Sequence, residues 1–135
     1  VSINTIIEMD ITGQVCSESI GPKQFSGTGG AFCFAYGALH SKAAGHSGIP
    51  GLHEKGVSKI SSQLKPGAVV SIPRNYVDYV VTEYGIAHLR GRSVKERVLQ
   101  LISIAHPDVR EELAPVCQGA VYDCLMGKNG YNSSV

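Results

Sequence analysis

The sequence feature that most constrains the fold is a cluster of glycines, Gly27-Thr28-Gly29-Gly30, which directly precedes a stretch of helical periodicity. Three glycines in four positions remove the Cβ atoms from a short turn, so its backbone amides can approach a ligand and adopt positive φ. A helix that begins just after the turn adds unpaired N–H groups and the positive end of its dipole. The cluster therefore indicates an anion-binding turn, with an ordinary tight connection as the alternative.

The patterns around this glycine loop, defined as residues 26–30, indicate an α/β domain. Aromatic and apolar residues recur at helical spacing after the loop and predict a helix over about 30–41. Before the loop, residues 1–11 are rich in β-branched side chains and predict a strand, and residues 14–24 predict a surface connection or a short edge strand. The glycine-rich run 42–56 has no periodicity and predicts a long loop.

The second half of the chain predicts strands followed by helices. The strands are expected over 57–60, 68–73 and 76–82. Ser93-Val94-Lys95-Glu96 has the form of a capping box and predicts a helix from Val94 to about Ala105, and Pro107 is suited to the first position of a further helix. Together these elements predict a mixed sheet with helices packed against it.

Net charge and hydropathy exclude several classes of partner. The 135-residue chain is long enough for one domain, and its 12 basic and 11 acidic residues give a net charge of +1, which would not attract nucleic acid or a membrane surface. No apolar run approaches the roughly 20 residues of a membrane span. Charged residues make up only 17% of the chain, below the ~25% usual for soluble domains, so we expect another domain or subunit to cover part of the surface.

Cysteine and histidine usage gives no sign of a disulfide framework or a metal site. The four cysteines form no CxxC pair, and no signal peptide precedes them, which predicts a reducing, cytoplasmic environment. Cys117 and Cys124 are expected to be buried on one face of a helix. The five histidines lack a metal-ligand spacing. The chain opens on Val-Ser-Ile without an initiator methionine, which we interpret as a piece of a longer polypeptide.

Glu83 is the carboxylate that the strand pattern places nearest to a ligand. It follows a predicted strand, and α/β sheets present ligands at strand ends. A catalytic role is one interpretation, and an ion pair or hydrogen bond with Arg90 or Arg92 is the favoured alternative.

Four other side chains are weaker candidates. Ser26 and Cys33 flank the glycine loop, but neither has a base at a recognisable offset, so neither is predicted to be a nucleophile. Lys42 and Lys59 could contact phosphates, although solvated surface lysines are the commoner outcome.

Three separated motifs resemble the C-terminal domain of the acetyl-CoA hydrolase/transferase family, and within it the 4-hydroxybutyrate CoA-transferases. The first runs from Ser26 to Ala38, the second from Pro73 to Gly91, and the third combines 104–108 with 110–113. They occur in the family's order and cover roughly residues 3–113. The resemblance predicts a CoA-transferase domain over 1–114. Helical periodicity followed by a polar end predicts a C-terminal helical extension over 115–135 with a frayed tail, which has no counterpart in the resemblance.

This resemblance implies a fold, a reaction and a set of partners. The fold is an open α/β sheet of the CoA-transferase type, in which two similar domains face each other and acyl-CoA lies between them. The reaction passes CoA from an acyl-CoA to a small carboxylic acid through a glutamyl-CoA thioester, with no permanently bound cofactor. Glu8 and Glu18 lack the pattern that surrounds the family's nucleophilic glutamate, so we expect that glutamate to lie outside this chain, in an N-terminal half of the same enzyme.

The resemblance also assigns a role to the glycine loop. Gly27, Thr28, Gly29 and Gly30 are expected to line the CoA channel, and the amide of Gly29 is expected to donate a hydrogen bond to the oxyanion that forms during attack on the thioester. A homo-oligomer is also expected. The alternatives are a non-catalytic CoA-binding or interaction module and a part of an acyl-CoA hydrolase.

The chain departs from the family pattern in three places. Cys33 and His88 stand where relatives generally carry aspartate, and the segment 46–56 is shortened. These three departures lie within or near the motifs, so the resemblance alone does not establish that the enzyme is active.

Overall fold

The structure, a computed structural model, describes residues 1–41, 46–49 and 58–115. These residues form short strands, three helices and a 3-10 turn at Arg74–Tyr76. The strands are β1 Ser2–Thr5, β2 Glu8–Asp10, β3 Val15–Cys16, β4 Ser19–Ile20, β5 Lys23–Gln24, β6 His46–Ile49, β7 Ile60–Ser61, β8 Tyr79–Thr82 and β9 Gly85–His88. The helices are α1 Ala31–His40, α2 Val94–Ile104 and α3 Pro107–Leu113.

The main sheet is mixed and has the strand order β1-β6-β8-β9. Strands β1, β6 and β8 run parallel, whereas β8 and β9 form an antiparallel hairpin. A smaller sheet has the order β3-β2-β7, and β4 pairs with β5 in a hairpin just before the glycine loop. A mixed sheet packed with helices confirms the predicted α/β class.

Helix α2 covers one face of the main sheet at β8 and β9. Val80 of β8 and Ala87 of β9 are paired in register and fully buried, and α2 contacts both strands with its own buried residue Leu101. The alternate residues of the strands point to the opposite face, where Ile3 and Ile86 are 66% and 68% exposed. Parallel sheets are normally covered on both faces, so this open face agrees with the expectation that another domain or subunit covers part of the surface.

The helix starts are those that the sequence predicts. Ser93 Oγ accepts from the amide of Glu96, and the Glu96 carboxylate accepts from both the amide and the hydroxyl of Ser93 at 2.8 Å, which confirms the capping box. These hydrogen bonds, with a smaller contribution from Arg92, lower the pKa of Glu96 below its ordinary value of 4.5. Pro107 occupies the first turn of α3, as predicted. Helix α1 occupies residues 31–40 of the predicted 30–41.

Replacing the cap, Ser93→Ala, is expected to reduce the free energy of unfolding by about 1 kcal/mol at neutral pH, because an orphan amide loses its acceptor. The pKa of Glu96 is lower in the folded protein, so folding favours the ionised carboxylate. The stability that this carboxylate adds is fully present at pH values above 4.5, and it is lost as the pH falls through the lowered pKa of the folded state. Urea titrations at several pH values measure both effects. The matched control is Ser103→Ala, an exposed serine of the same helix whose Oγ bonds only to the Gln100 carbonyl. An equal loss in both variants would contradict the capping role.

The N-terminal strand prediction is corrected in two respects. Residues 1–11 form two strands in different sheets, because the chain leaves the main sheet at Ile6, whose side chain is buried in the core. Residues 14–24 contain short paired strands, in agreement with the predicted edge strand. They do not form a surface connection, because Val15, Cys16 and Ser19 are 0–1% exposed.

The predictions for the middle of the chain differ more from the structure. The predicted loop 42–56 contains strand β6, which lies inside the main sheet, and the predicted strand 57–60 is described only from residue 58 and pairs at Ile60–Ser61. The predicted buried strand 68–73 forms only an isolated bridge at Ile72, while Val69 and Val70 are 41% and 40% exposed.

The strand predicted over 76–82 is shorter than expected, and its partner was not predicted. A 3-10 turn over Arg74–Tyr76 precedes β8, whose strand begins only at Tyr79. The hairpin partner β9 is formed by Gly85–His88, a stretch for which no strand was predicted.

Several predictions fall outside the described residues. These are the placements of Lys42, Cys117 and Cys124 and most of the extension over 115–135. Among the helices that the structure describes, none has the length and apolar character required to span a bilayer.

Candidate functional site

The glycine loop connects β5 to α1 at the surface of the domain. Gly29 has φ +58°, a conformation that favours glycine, and Gly30 is the N-cap of α1 with φ −97°. All five loop residues are exposed. Within the described ranges, the amides of Gly27, Thr28, Gly29 and Gly30 have no protein acceptor. Four main-chain donors and a helix N-terminus are therefore available to an anion.

The space around each glycine explains which of them need to lack a side chain. A Cβ at Gly27 would meet nothing within 4 Å, and one at Gly29 would meet only the Gly27 carbonyl at 4.0 Å, so both positions face open space. A Cβ at Gly30 would lie 2.8 Å from the ring of Phe34. Gly29 is thus favoured by its backbone conformation, whereas a side chain at Gly30 would displace the ring of Phe34, which is 63% exposed.

Aromatic side chains form a surface beside the loop. Phe32 packs edge-on against Tyr76 at a centroid distance of 5.0 Å, and Tyr36 stacks on His40 at 4.1 Å. Phe34 and Phe25 are 63% and 57% exposed. Such an exposed aromatic surface is typical of an interaction site.

The two acidic residues upstream of the loop are buried and engaged. Glu8 accepts from the amide of Lys65 at 3.2 Å, and Glu18 accepts from Gln24 Nε2 and Ser71 Oγ at 3.1 and 2.8 Å. Their residues are 6% and 4% exposed. Neither carboxylate is presented to the surface as a nucleophile would be.

The two nucleophile candidates beside the loop remain without a base. Ser26 Oγ donates to the Gly27 carbonyl at 3.0 Å, and Cys33 is an exposed free thiol in the first turn of α1. Within the described part of the chain, no histidine or carboxylate side chain contacts either group.

The strand-end residues form a separate cluster. Nε2 of His88 lies 3.1 Å from Oδ1 of buried Asp78 without hydrogen-bond geometry, and Arg90 lies 3.9 Å from the other oxygen. His88 also stacks on Tyr79 at 4.5 Å. Glu83 lies in the exposed turn between β8 and β9. His88 therefore packs within the β8–β9 hairpin beside Asp78 and Tyr79.

A buried arginine supports the turn at residues 10–14. Arg97 Nη1 contacts the Thr12 carbonyl at 3.4 Å, and a Cβ at Gly13 would lie 2.9 Å from the same nitrogen. Burial, and secondly the charge of Arg74, lowers the pKa of Arg97.

A cavity of about 670 Å³ opens in front of this turn, and no residue of the glycine loop lines it. Where the chain is described, no group of three or more His, Cys, Asp or Glu side chains is placed to hold a metal ion.

Comparison with known proteins places the whole described domain in one family. Residues 1–116 match the model of the acetyl-CoA hydrolase/transferase C-terminal domain. The chain is 53% identical over 115 residues to the 4-hydroxybutyrate coenzyme A transferase of Clostridium kluyveri, covering 84% of this chain and 27% of that protein. It is 50% identical over 123 residues to the probable butyrate:acetyl-CoA coenzyme A-transferase of Syntrophomonas wolfei, covering 87% and 27%. Relatives named acetyl-CoA hydrolase match at 32% and 28% identity.

The fold also matches a solved structure. The crystal structure of RipA from Yersinia pestis superimposes with a TM-score of 0.77 at 35% identity, covering 87% of this chain and 27% of that one. The chain thus spans about a quarter of the length of the relatives it matches. The motifs, the fold and the extent of these matches agree, and the chain belongs to the acetyl-CoA hydrolase/transferase family, of which it represents the C-terminal domain.

Proposed function

We propose that this chain is the C-terminal domain of a CoA-transferase and supplies its oxyanion-binding loop. The enzyme would move CoA between an acyl-CoA and a short-chain carboxylic acid of the 4-hydroxybutyrate, acetate or butyrate type. The observation that carries the proposal is the set of four exposed loop amides without protein acceptors, at the N-terminus of α1, in a chain of this family. CoA and acyl-CoA act as substrates, and no cofactor is permanently bound.

The chemistry needs donors aimed at a developing negative charge. When a carboxylate attacks a thioester, the carbonyl oxygen becomes an oxyanion, which main-chain amides can bind without reorganisation. In the proposal the Gly29 amide donates to this oxygen, while Gly27, Thr28 and Gly30 line the path of CoA. The helix dipole of α1 adds a favourable potential at the same point. The attacking glutamate comes from the N-terminal half of the enzyme, and its attack gives an acyl–glutamyl anhydride and releases CoA thiolate. The thiolate then attacks the glutamyl carbonyl, which forms the glutamyl-CoA thioester and releases the donor carboxylate.

Two surfaces support a larger assembly. The open face of the main sheet and the aromatic surface around Phe34 are apolar regions that another part of the enzyme could cover. We assign this role to the N-terminal half of the same polypeptide, with residues 1–114 as the domain that it faces, in a cytoplasmic homo-oligomer. A transferase is favoured over a hydrolase because the relatives named as transferases are more similar to the chain than those named as hydrolases.

The isolated 135-residue chain is expected to bind CoA weakly at best and to show no transferase turnover, because it lacks the nucleophile and half of the cleft. The measurement is exchange of CoA between acetyl-CoA and butyrate, with the longer enzyme that contains this sequence as the positive control. Turnover by the isolated chain at the rate of the longer enzyme would contradict the division of roles. Absence of turnover in the longer enzyme, with a range of short-chain acids, would contradict the transferase itself.

A further inference from the structure

We propose that Glu18 and Gln24 are positioning residues that fix the glycine loop at its entry. This inference rests on the proposed function of the loop and adds to it two side chains that the loop motif does not include. Neither side chain touches the reacting atoms. Both act on the main chain just before Gly27.

The main-chain oxygen of Glu18 holds the two residues that lead into the loop. The amide of Phe25 donates to it at 2.8 Å, and the amide of Ser26 donates to the same oxygen at 3.2 Å. These bonds leave Gly27 as the first loop residue whose amide has no protein acceptor in the described part of the chain. The position of Glu18 therefore determines where the open row of amides begins.

The side chains of Glu18 and Gln24 form a second connection to the same point. Gln24 Nε2 donates to Glu18 Oε1 at 3.1 Å and to the carbonyl oxygen of Ser26 at 2.7 Å. One amide nitrogen thus bridges the buried carboxylate and the last residue before Gly27. Because the side chain and the main chain of Glu18 both hold the loop entry, rotation of the Ser26–Gly27 peptide is restricted.

The other carboxylate oxygen of Glu18 is fixed to the body of the domain. Ser71 Oγ donates to Oε2 at 2.8 Å, and the same hydroxyl accepts from the amide of Ser17 at 3.0 Å. Ser71 is adjacent to Ile72, which is bridged to Val15. The loop entry is thereby connected through Glu18 to the buried backbone around Val15 and Ile72, in addition to the hairpin β4–β5.

A carboxylate suits this position because it accepts at both oxygens. Glu18 is only 4% exposed, and within the described ranges no basic side chain forms an ion pair with it. Burial of a carboxylate among neutral donors is costly unless each oxygen is hydrogen-bonded, as it is here. A carboxamide would present an NH₂ group to one of the two donors, so Glu18→Gln breaks one connection while preserving shape.

The first test is amide hydrogen exchange of the 135-residue chain by NMR. In Glu18→Gln and in Gln24→Ala, the amides of Phe25 and Ser26 are expected to exchange at least 10-fold faster, while the core amide of Leu89, which donates to the Asp78 carbonyl at 2.7 Å, is unchanged. Gln24→Ala alters an exposed residue and so keeps the test valid if Glu18→Gln does not fold. The matched control is Gln100→Ala, because Gln100 makes an equivalent side-chain bond to the His88 amide at 2.8 Å, remote from the loop.

The second test is kinetic and uses the longer enzyme. Both loop-entry variants are expected to lower kcat about 10-fold or more with less than a 3-fold change in KM for acyl-CoA, whereas Gln100→Ala keeps both constants near wild type. Faster exchange at Phe25 and Ser26 without any loss of kcat would overturn the positioning role. Unchanged exchange at these amides would overturn the proposed connection itself. Absence of transferase turnover in the wild-type enzyme would instead contradict the proposed function, and the exchange result would stand separately.

Discussion

Replacing Gly29 by valine in the longer enzyme is expected to lower kcat by about 10²–10³, the loss that follows removal of one well-placed oxyanion donor. Gly29 has φ +58°, which a β-branched residue rarely adopts, so the loop must change its backbone conformation and its amide is displaced. Because the interaction proposed for Gly29 is made in the transition state, kcat and kcat/KM are expected to fall together. Steady-state kinetics of CoA exchange measure the effect, and circular dichroism shows whether the protein is folded.

The matched control for backbone strain is Gly91→Val. Gly91 also has a left-handed conformation, with φ +71°, and a Cβ there meets nothing within 4 Å, but it lies between β9 and α2 outside the glycine loop. Gly91→Val should therefore lose a similar amount of stability and keep its turnover. Wild-type turnover in Gly29→Val, or an equal loss of turnover in both variants, would contradict the role assigned to Gly29.

Truncation of the core residue Leu101 to alanine is expected to lower the free energy of unfolding by about 3 kcal/mol, within the range for buried leucines. Leu101 is 0% exposed in the core cluster between α2 and the main sheet, so the variant leaves a cavity that closely packed neighbours cannot fill. Thermal and urea unfolding measure the change, and a domain of this size should lose about 10 °C or more in Tm.

Leu99→Ala is the matched control for Leu101→Ala. It removes the same atoms from the same helix, but Leu99 is 52% exposed. We expect a loss of less than about 1 kcal/mol, since a surface position leaves no enclosed cavity. Equal losses in the two variants would show that α2 does not dock on the sheet through the face that contains Leu101.

The helices could be predicted because their signals are local. The Ser93–Glu96 capping box and Pro107 act within a single helical turn, so neighbouring residues alone determine where α2 and α3 begin. The glycine loop is a similar case, since positive φ at Gly29 is a property of one residue. The family resemblance then supplied the chemistry, which glycine spacing alone left open.

The strands could not be predicted equally well, because pairing depends on distant residues. Strand β6, His-Ser-Gly-Ile, has little β propensity, and it is held by β1 and β8 on either side. Ala68–Pro73 has the composition of a buried strand, yet it finds only one bridge, between Ile72 and Val15. In both segments, the available pairing partner determined whether a strand formed, more than the side chains of the segment itself.

The residues around the site that sequence reasoning missed are buried polar ones. Glu18 lies in a polar, turn-rich segment, where a carboxylate normally faces solvent, and its partners Gln24 and Ser71 have no spacing that reveals the contact. Arg97 occupies what reads as a surface position of α2, yet it is 6% exposed beneath Gly13. Only the tertiary fold brings these groups together.

The parallel pairing of β1 with β6 determines when this domain can complete its fold during synthesis. Ser2 pairs with His46, so this pairing cannot form until some forty further residues have been translated. At about 5–20 residues per second, the pairing of β1 with β6 is delayed by several seconds. Such long-range closure slows folding relative to local contacts, so completion of the main sheet depends on residues far from β1 in the sequence.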